Sequence, residues 1–223
     1  MRSLTAGGKP LPKPDRRRVR TRNALVEAGM ALFSLRPIEA VSVDEITQAA
    51  DLAKGSFYNY FTDKEALARE VAREVREEVE ARVAVANEAI KDPAIRVARA
   101  LHVFALYARE KPDRAGVLTR LHSGATLPHA PSNRGLRADL EAGLRLGRFS
   151  GFALETGLIS VIATVQITML RILDPAAPRL SETALIDIAA LLLRGLGLSN
   201  AAARKAAMES ASPFDQSQRR KAS

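Results

Sequence analysis

The chain contains no cysteine, which excludes disulfides, thiolate metal sites and cysteine nucleophiles and fits a reducing cytoplasm. Its three histidines, His102, His122 and His129, show no HExxH or other ligand spacing, so no metal site is expected. No serine lies in a GxSxG elbow, and Gly195-Leu196-Gly197 is followed by no third glycine at the offset a dinucleotide loop needs. The expected catalytic set is therefore empty, with no cofactor. Sustained apolar–polar alternation is missing throughout, while aliphatic residues recur at three and four, a pattern of helices rather than strands. No N-terminal apolar stretch resembles a signal peptide. The longest uncharged run, between Glu155 and Arg171, is fifteen residues broken by Thr156, Ser160, Thr164, Gln166 and Thr168, short and polar for a membrane span. These absences leave a soluble, cytoplasmic, all-α chain with no membrane partner, and apolar and charged contents of 47% and 26% agree.

What the 223 residues do contain is concentrated in Ser42 to Phe61, SVDEITQAADLAKGSFYNYF. Ser42 with Glu45 forms a capping box that opens a helix, and Val43, Ile46, Ala49 and Ala50 give it one apolar face. Asp51-Leu52-Ala53 breaks the pattern as a helix-turn-helix corner would. A second helix, Lys54 to Tyr60, anchors itself through Phe57 and Phe61 and leaves Lys54, Gly55, Ser56, Tyr58, Asn59 and Tyr60 off the anchor line. A surface carrying two tyrosines calls for a partner, and each residue suits DNA. Lysine reaches guanine edges or phosphates and asparagine pairs with adenine. Serine and tyrosine hydroxyls donate to phosphates, and Gly55 lets the backbone approach. The alternative is a helical hairpin with its aromatics packed inward.

From about Val19 to Val83 the chain resembles the DNA-binding domain of the tetracycline-repressor (TetR) family. The matching segments are Ala24 to Phe33, Ser42 to Ile46, the string KGSFYNYF at Lys54 to Phe61, and DKEAL at Asp63 to Leu67. Asp51 stands where the family usually has glycine, a position aspartate tolerates in left-handed geometry, and Ala53 where it often has serine. The resemblance implies a three-helix DNA-binding head over residues 16–80, with Ser42, Val43 and Lys64 completing the DNA-binding set. It also implies a helical ligand-binding and dimerisation domain over residues 81–198.

Charge supports the head. Residues 1 to 22 hold eight Lys/Arg against the single acid Asp15. Residues 1–15, with GGKPLPKP, read as a flexible basic arm; phosphate contact and a merely solvated tail both fit, counterion release favouring the first. Residues 199–223 read as a disordered, solvated tail. Thr62 with Glu65 predicts a second capping box at the head of a helix from Asp63 to about Val83. Its stripe of Leu67, Val71, Val75, Val79 and Val83 points inward and its Glu and Arg residues form a solvated face. Further helices are predicted from Pro93 to about Glu110, Asp113 to His122 and Asn133 to Leu146, with a loop at 124–132. Two apolar helices, Phe152 to Leu173 and Ser181 to Leu196, show more apolar surface than a small domain hides, and the resemblance implies that a homodimer forms through them. The resemblance also implies a pocket for an unknown small-molecule effector, whose polar contacts would come from His102, Tyr107, His122, Thr164, Gln166 and Thr168. A histidine such as His102 on an apolar helix is more often a hydrogen-bonded core residue than a ligand contact. The expected function is a homodimeric, ligand-responsive repressor released from a palindromic double-stranded DNA operator by an apolar or amphipathic effector. The alternatives are an activator, a low-specificity DNA binder, or an all-α small-molecule binder or enzyme lacking DNA binding.

Overall fold

The computed structural model describes residues 16–120 and 133–221, with side chains described to residue 211. Every regular element in these residues is helical, as the periodicity requires. Helix α1 (Arg16–Leu35) is followed by a single 3-10 turn (Ile38–Ala40), then α2 (Val43–Ala49) and α3 (Lys54–Phe57). Their apolar faces meet in one small core where Leu25, Phe33, Ile46, Phe57 and Leu67 are completely enclosed. Gly29 lets α1 approach the next helix closely, for a Cβ there would lie 2.9 Å from Leu67 Cδ2.

That next helix, α4 (Lys64–Asn87), is the longest among the described residues at 24 residues. It begins one residue later than the Thr62–Glu65 pairing predicts. Asp63 is the N-cap, its carboxylate accepting the Ala66 N–H at 2.6 Å, while the Thr62 hydroxyl donates to Asp63. Aspartate wins because its charge also complements the positive end of the helix. Leu67, Val71, Val75 and Val79 are buried as their spacing requires. On the opposite side, where a mostly solvated charged face is expected, Arg76 is the exception, only 8% exposed.

The remaining helices surround α5 (Pro93–Glu110), which starts at an Asp92 cap with Pro93 in the first turn. They are α6 (Pro112–Arg120), α7 (Arg134–Arg145), α8 (Leu154–Leu173), α9 (Glu182–Gly195) and α10 (Asn200–Lys221). Helix α5 packs against α4, α6, α7, α8, α9 and α10, and thirteen of its side chains are buried. The loop predicted at 124–132 and the basic arm at 1–15 lie outside the described residues.

The predicted C-terminal tail is corrected by the structure. Residues 200–221 are helical, and Ala203, Ala206, Ala207, Ser210 and Ala211 are buried against α9 and α5. The segment has only Met208 and Phe214 as large apolar residues, which makes its composition resemble a solvated chain. Alanine at three- and four-residue spacing nonetheless allows helices to approach closely at little side-chain entropy cost.

The candidate DNA-reading surface and effector cavity

At the head, the capping box forms as the sequence dictates: Ser42 Oγ accepts from the Glu45 N–H at 3.2 Å, and Glu45 Oε2 accepts from the Ser42 N–H at 2.8 Å. The Ser42 backbone bond, helped by Arg36, holds the Glu45 carboxyl down to about 2. At the corner Asp51 takes a positive φ of 54°, the left-handed conformation expected of aspartate standing in for glycine. The Leu52 N–H then bonds back to the Thr47 carbonyl at 2.9 Å. Helix α3 is a single turn rather than the seven residues predicted, tightened by the Tyr60 N–H bonding to Phe57 O. Ala53, at its N-cap, supplies no side-chain cap.

This turn sorts the predicted contact residues. Phe57 is fully buried and packs on Phe61 at 5.8 Å between ring centroids, with Tyr58 edge-on to it at 5.4 Å. Tyr58 is 56% exposed, and Lys54, Gly55 and Asn59 are exposed beside it. A Cβ on Gly55 would meet nothing within 4 Å, so this chain's own packing does not require the glycine. Ser56 and Tyr60 are half-buried, Tyr60 against the core, and Val43 is half-buried at the start of α2. Ser42 is exposed but its groups serve the cap. Lys54 Nζ lies 2.9 Å from the Asp44 carboxylate, which raises the pKa of the lysine. Lys64 stands apart from the group: its ammonium donates to the carbonyls of Ile38, Glu39 and Val41 at 2.9, 3.3 and 3.0 Å, closing the end of the 3-10 turn. At the start of α1, Arg16, Arg18 and Arg20 are exposed. Arg22 instead lies over the Phe61 ring at 5.6 Å and pairs with Glu70.

Between α4, α5, α7 and α8 the second domain encloses a cavity of about 120 Å³. Its apolar wall includes Val97, Phe104, Leu118, Val161, Val165 and Met169. Its polar wall is Arg76, Glu80, Asn87, Arg96, Asp139 and Gln166. Arg76 lies over the Phe104 ring at 5.2 Å, donates to Glu80 Oε1 at 2.9 Å and to Asn133 Oδ1 at 2.6 Å. Arg96 donates to Asp139 Oδ1 at 2.5 Å and, through Nη1, to the carbonyls of Asn87 and Ile90 at 2.8 and 3.2 Å, closing the C-terminal end of α4. Burial raises the carboxyl pKa of both Glu80 and Asp139.

Of the predicted ligand contacts among the described residues, only Gln166 lines this cavity. Its Nε2 donates to Leu118 O at 3.4 Å. His102 is buried, and desolvation lowers its pKa to about 4, so the ring is neutral. The Tyr107 hydroxyl donates to Glu78 at 3.1 Å beneath Arg82, binding α5 to α4; burial raises its pKa. Thr164 donates back to Ser160 O at 2.8 Å, and Thr168 is buried on α8. His122 lies outside the described residues. The polar wall itself was missed, although a signal existed: Arg76, Glu80, Ala84 and Asn87 follow at spacings of four, four and three, a second stripe beside the Val75–Val79–Val83 line.

Comparison with known proteins agrees with this geometry. The family model for bacterial regulatory proteins of the tetR family matches residues 25–71. The HTH-type transcriptional repressor DhaR of Mycobacterium sp. (strain GP1) is 35% identical over 79 residues, 35% of this chain and 40% of that repressor. The match thus spans less than half the length of that relative. Crystalline RolR in complex with resorcinol superposes with a TM-score of 0.62 at 28% identity, over 86% of this chain and 95% of the other. A TetR family transcription regulator from Marinobacter aquaeolei VT8 superposes at 0.66 with 18% identity, over 81% and 97%, a likeness of fold. The repressor and the Marinobacter protein are named as transcriptional regulators, and residues 25–71 of this chain are similar to the domain that defines the tetR family of bacterial regulatory proteins.

Proposed function

We propose that the protein is a cytoplasmic, homodimeric repressor that holds a palindromic operator and is released when a small effector occupies the cavity among α4, α5, α7 and α8. The observation that carries this reading is the course of α4. The same helix follows directly from the Tyr58–Asn59 surface at one end and supplies Arg76, Glu80, Val83, Ala84 and Asn87 to the cavity at the other. Anything that rearranges the cavity edge of α4 therefore acts on the orientation of the reading head. Exposed Tyr58, Asn59 and Lys54 support contact with DNA, as does Gly55, whose missing side chain this chain's own packing does not require.

Symmetry follows from reach. A single-turn recognition element touches few base pairs, and pairing two of them doubles the site read. The outward faces of α8 and α9 carry exposed Ile159, Ile167, Leu170 and Leu191, with Ile167 at 63% and Leu191 at 62%. Burying such side chains is worth roughly 1.5–3 kcal/mol each, which supports pairing through these two helices. Helix α8 is also long and apolar enough, by length and composition alone, to cross a membrane; its inner face packs on α5, α6 and α7, and its outer face is the one assigned to the partner copy.

The test is a footprint on the intergenic DNA beside the gene, with sedimentation to read the species bound. Two protected half-sites about 34–36 Å apart on one face of the duplex, occupied by a dimer and released by resorcinol or a similar small ring, are expected. Protection spread evenly along any DNA would exclude an operator-specific repressor.

A further inference from the structure

Asn87, the last residue of α4, is 1% exposed and lines the cavity. Its amide is oriented by the rest of the site: Nδ2 donates to Arg96 O at 3.2 Å, and its backbone carbonyl accepts from Arg96 Nη1 at 2.8 Å. The opposite atom, Oδ1, is buried and accepts a hydrogen bond from no described residue. A buried amide oxygen without a donor costs free energy that a suitable ligand recovers. The orphaned atom is therefore a specification of what should enter.

The rest of the wall narrows that specification. The forks of Arg76 and Arg96 are directed at Glu80, Asn133, Asp139 and the end of α4, so the two arginines are balanced by two carboxylates. An anionic ligand would face Glu80 and Asp139 and meet repulsion. The volume limits size: cavities of about 150 Å³ take a benzene ring, and drug-sized ligands need about 300 Å³ or more. At about 120 Å³ this cavity matches a single ring more closely than a long acyl chain. Val97, Phe104, Leu118 and Met169 supply the apolar surroundings such a ring needs.

We propose that the effector is a neutral, single-ring molecule bearing a hydroxyl or amino group, and that it donates a hydrogen bond to Asn87 Oδ1. This rests on the reading of the cavity as the effector site. Asn87 is then the specificity-determining residue, and the donated bond lands on the residue that Arg96 uses to secure the end of α4.

The experiment is calorimetric titration of the full-length protein with phenol, anisole, which keeps the ring but removes the donor, and benzoate. Three proteins are compared: the unmodified chain, Asn87→Leu, and Ala100→Leu, which places three extra carbons in the cavity from α5. The unmodified chain should bind phenol at least about tenfold more tightly than anisole or benzoate. Asn87→Leu should bring the phenol-to-anisole ratio near one, and Ala100→Leu should weaken both. The ratio on the unmodified chain tests the proposal even if Asn87→Leu folds poorly. Equal binding of phenol and anisole, or tighter binding of benzoate, with Ala100→Leu still blocking, would overturn the donor requirement and leave the cavity as the effector site. Binding unaffected by Ala100→Leu, or none by any ring, would overturn the cavity reading and the proposal with it.

Discussion

Phe57 and Tyr58 are adjacent in sequence and opposite in environment, one enclosed by the head core and the other more than half exposed. Their substitutions should therefore fail in different assays. Phe57→Ala should lower the unfolding free energy by roughly 3–5 kcal/mol, the scale for emptying a buried aromatic site. Tyr58→Ala should leave thermal stability nearly unchanged while weakening operator binding; equal loss of folding in both would move Tyr58 into the core. His102 makes a prediction in pH. Its folded pKa of about 4 lies below the ordinary 6.5 because burial disfavours the imidazolium. A depressed folded pKa gives stability that is complete above about 6.5 and lost as pH falls toward 4, since the unfolded chain takes up the proton first. Between pH 7 and 4 the protein should lose roughly 3 kcal/mol more than His102→Gln does, measured by denaturant unfolding. Glu45, whose folded carboxyl lies near 2 against an ordinary 4.5, acts in a lower window and does not account for a loss that begins above pH 5.

Among the elements, those set by local rules were legible and those set by packing were not. The α2 cap, the left-handed Asp51 and the start of α5 at Asp92-Pro93 follow from side chains acting on the backbone beside them. Ser42→Ala should accordingly cost about 1 kcal/mol, and Ser42→Asp should restore most of it. The division of KGSFYNYF into buried anchors and exposed side chains was legible because Phe57 and Phe61 stand one turn apart. The polar wall was not, because no local rule shows that Arg76 and Glu80 turn toward α7 rather than water; that depends on Asn133 and Phe104, distant in sequence. Helix α10 escaped for a related reason: its small alanine face gains value only from the surfaces of α9 and α5. Deleting residues 200–223 should lower Tm by more than about 5 °C, where each kcal/mol is worth about 2–4 °C in a chain of this size. An unchanged Tm would mean the helix contributes nothing to the core it covers.

At the scale of the whole molecule, charge and geometry act on different observables. In the proposed repressor the eight Lys/Arg of residues 1–22 set affinity for any duplex. Deleting residues 2–15 should therefore flatten the dependence of log K on log salt, by about one unit for each phosphate that the arm no longer neutralises. In the proposed mechanism the placement of the two heads in a dimer governs release, and α4 runs from beside the reading turn to the cavity. If effector binding prefers the spacing that does not fit DNA, linkage requires DNA to weaken effector binding by the same factor. The most direct test is to titrate the effector into the full-length protein with and without saturating operator DNA. The account predicts weaker effector binding on the operator by about 5- to 150-fold, a coupling of about 1–3 kcal/mol, matched by an equal loss of operator affinity in saturating effector. Identical effector affinity in the two titrations would contradict it, however tightly the compound binds.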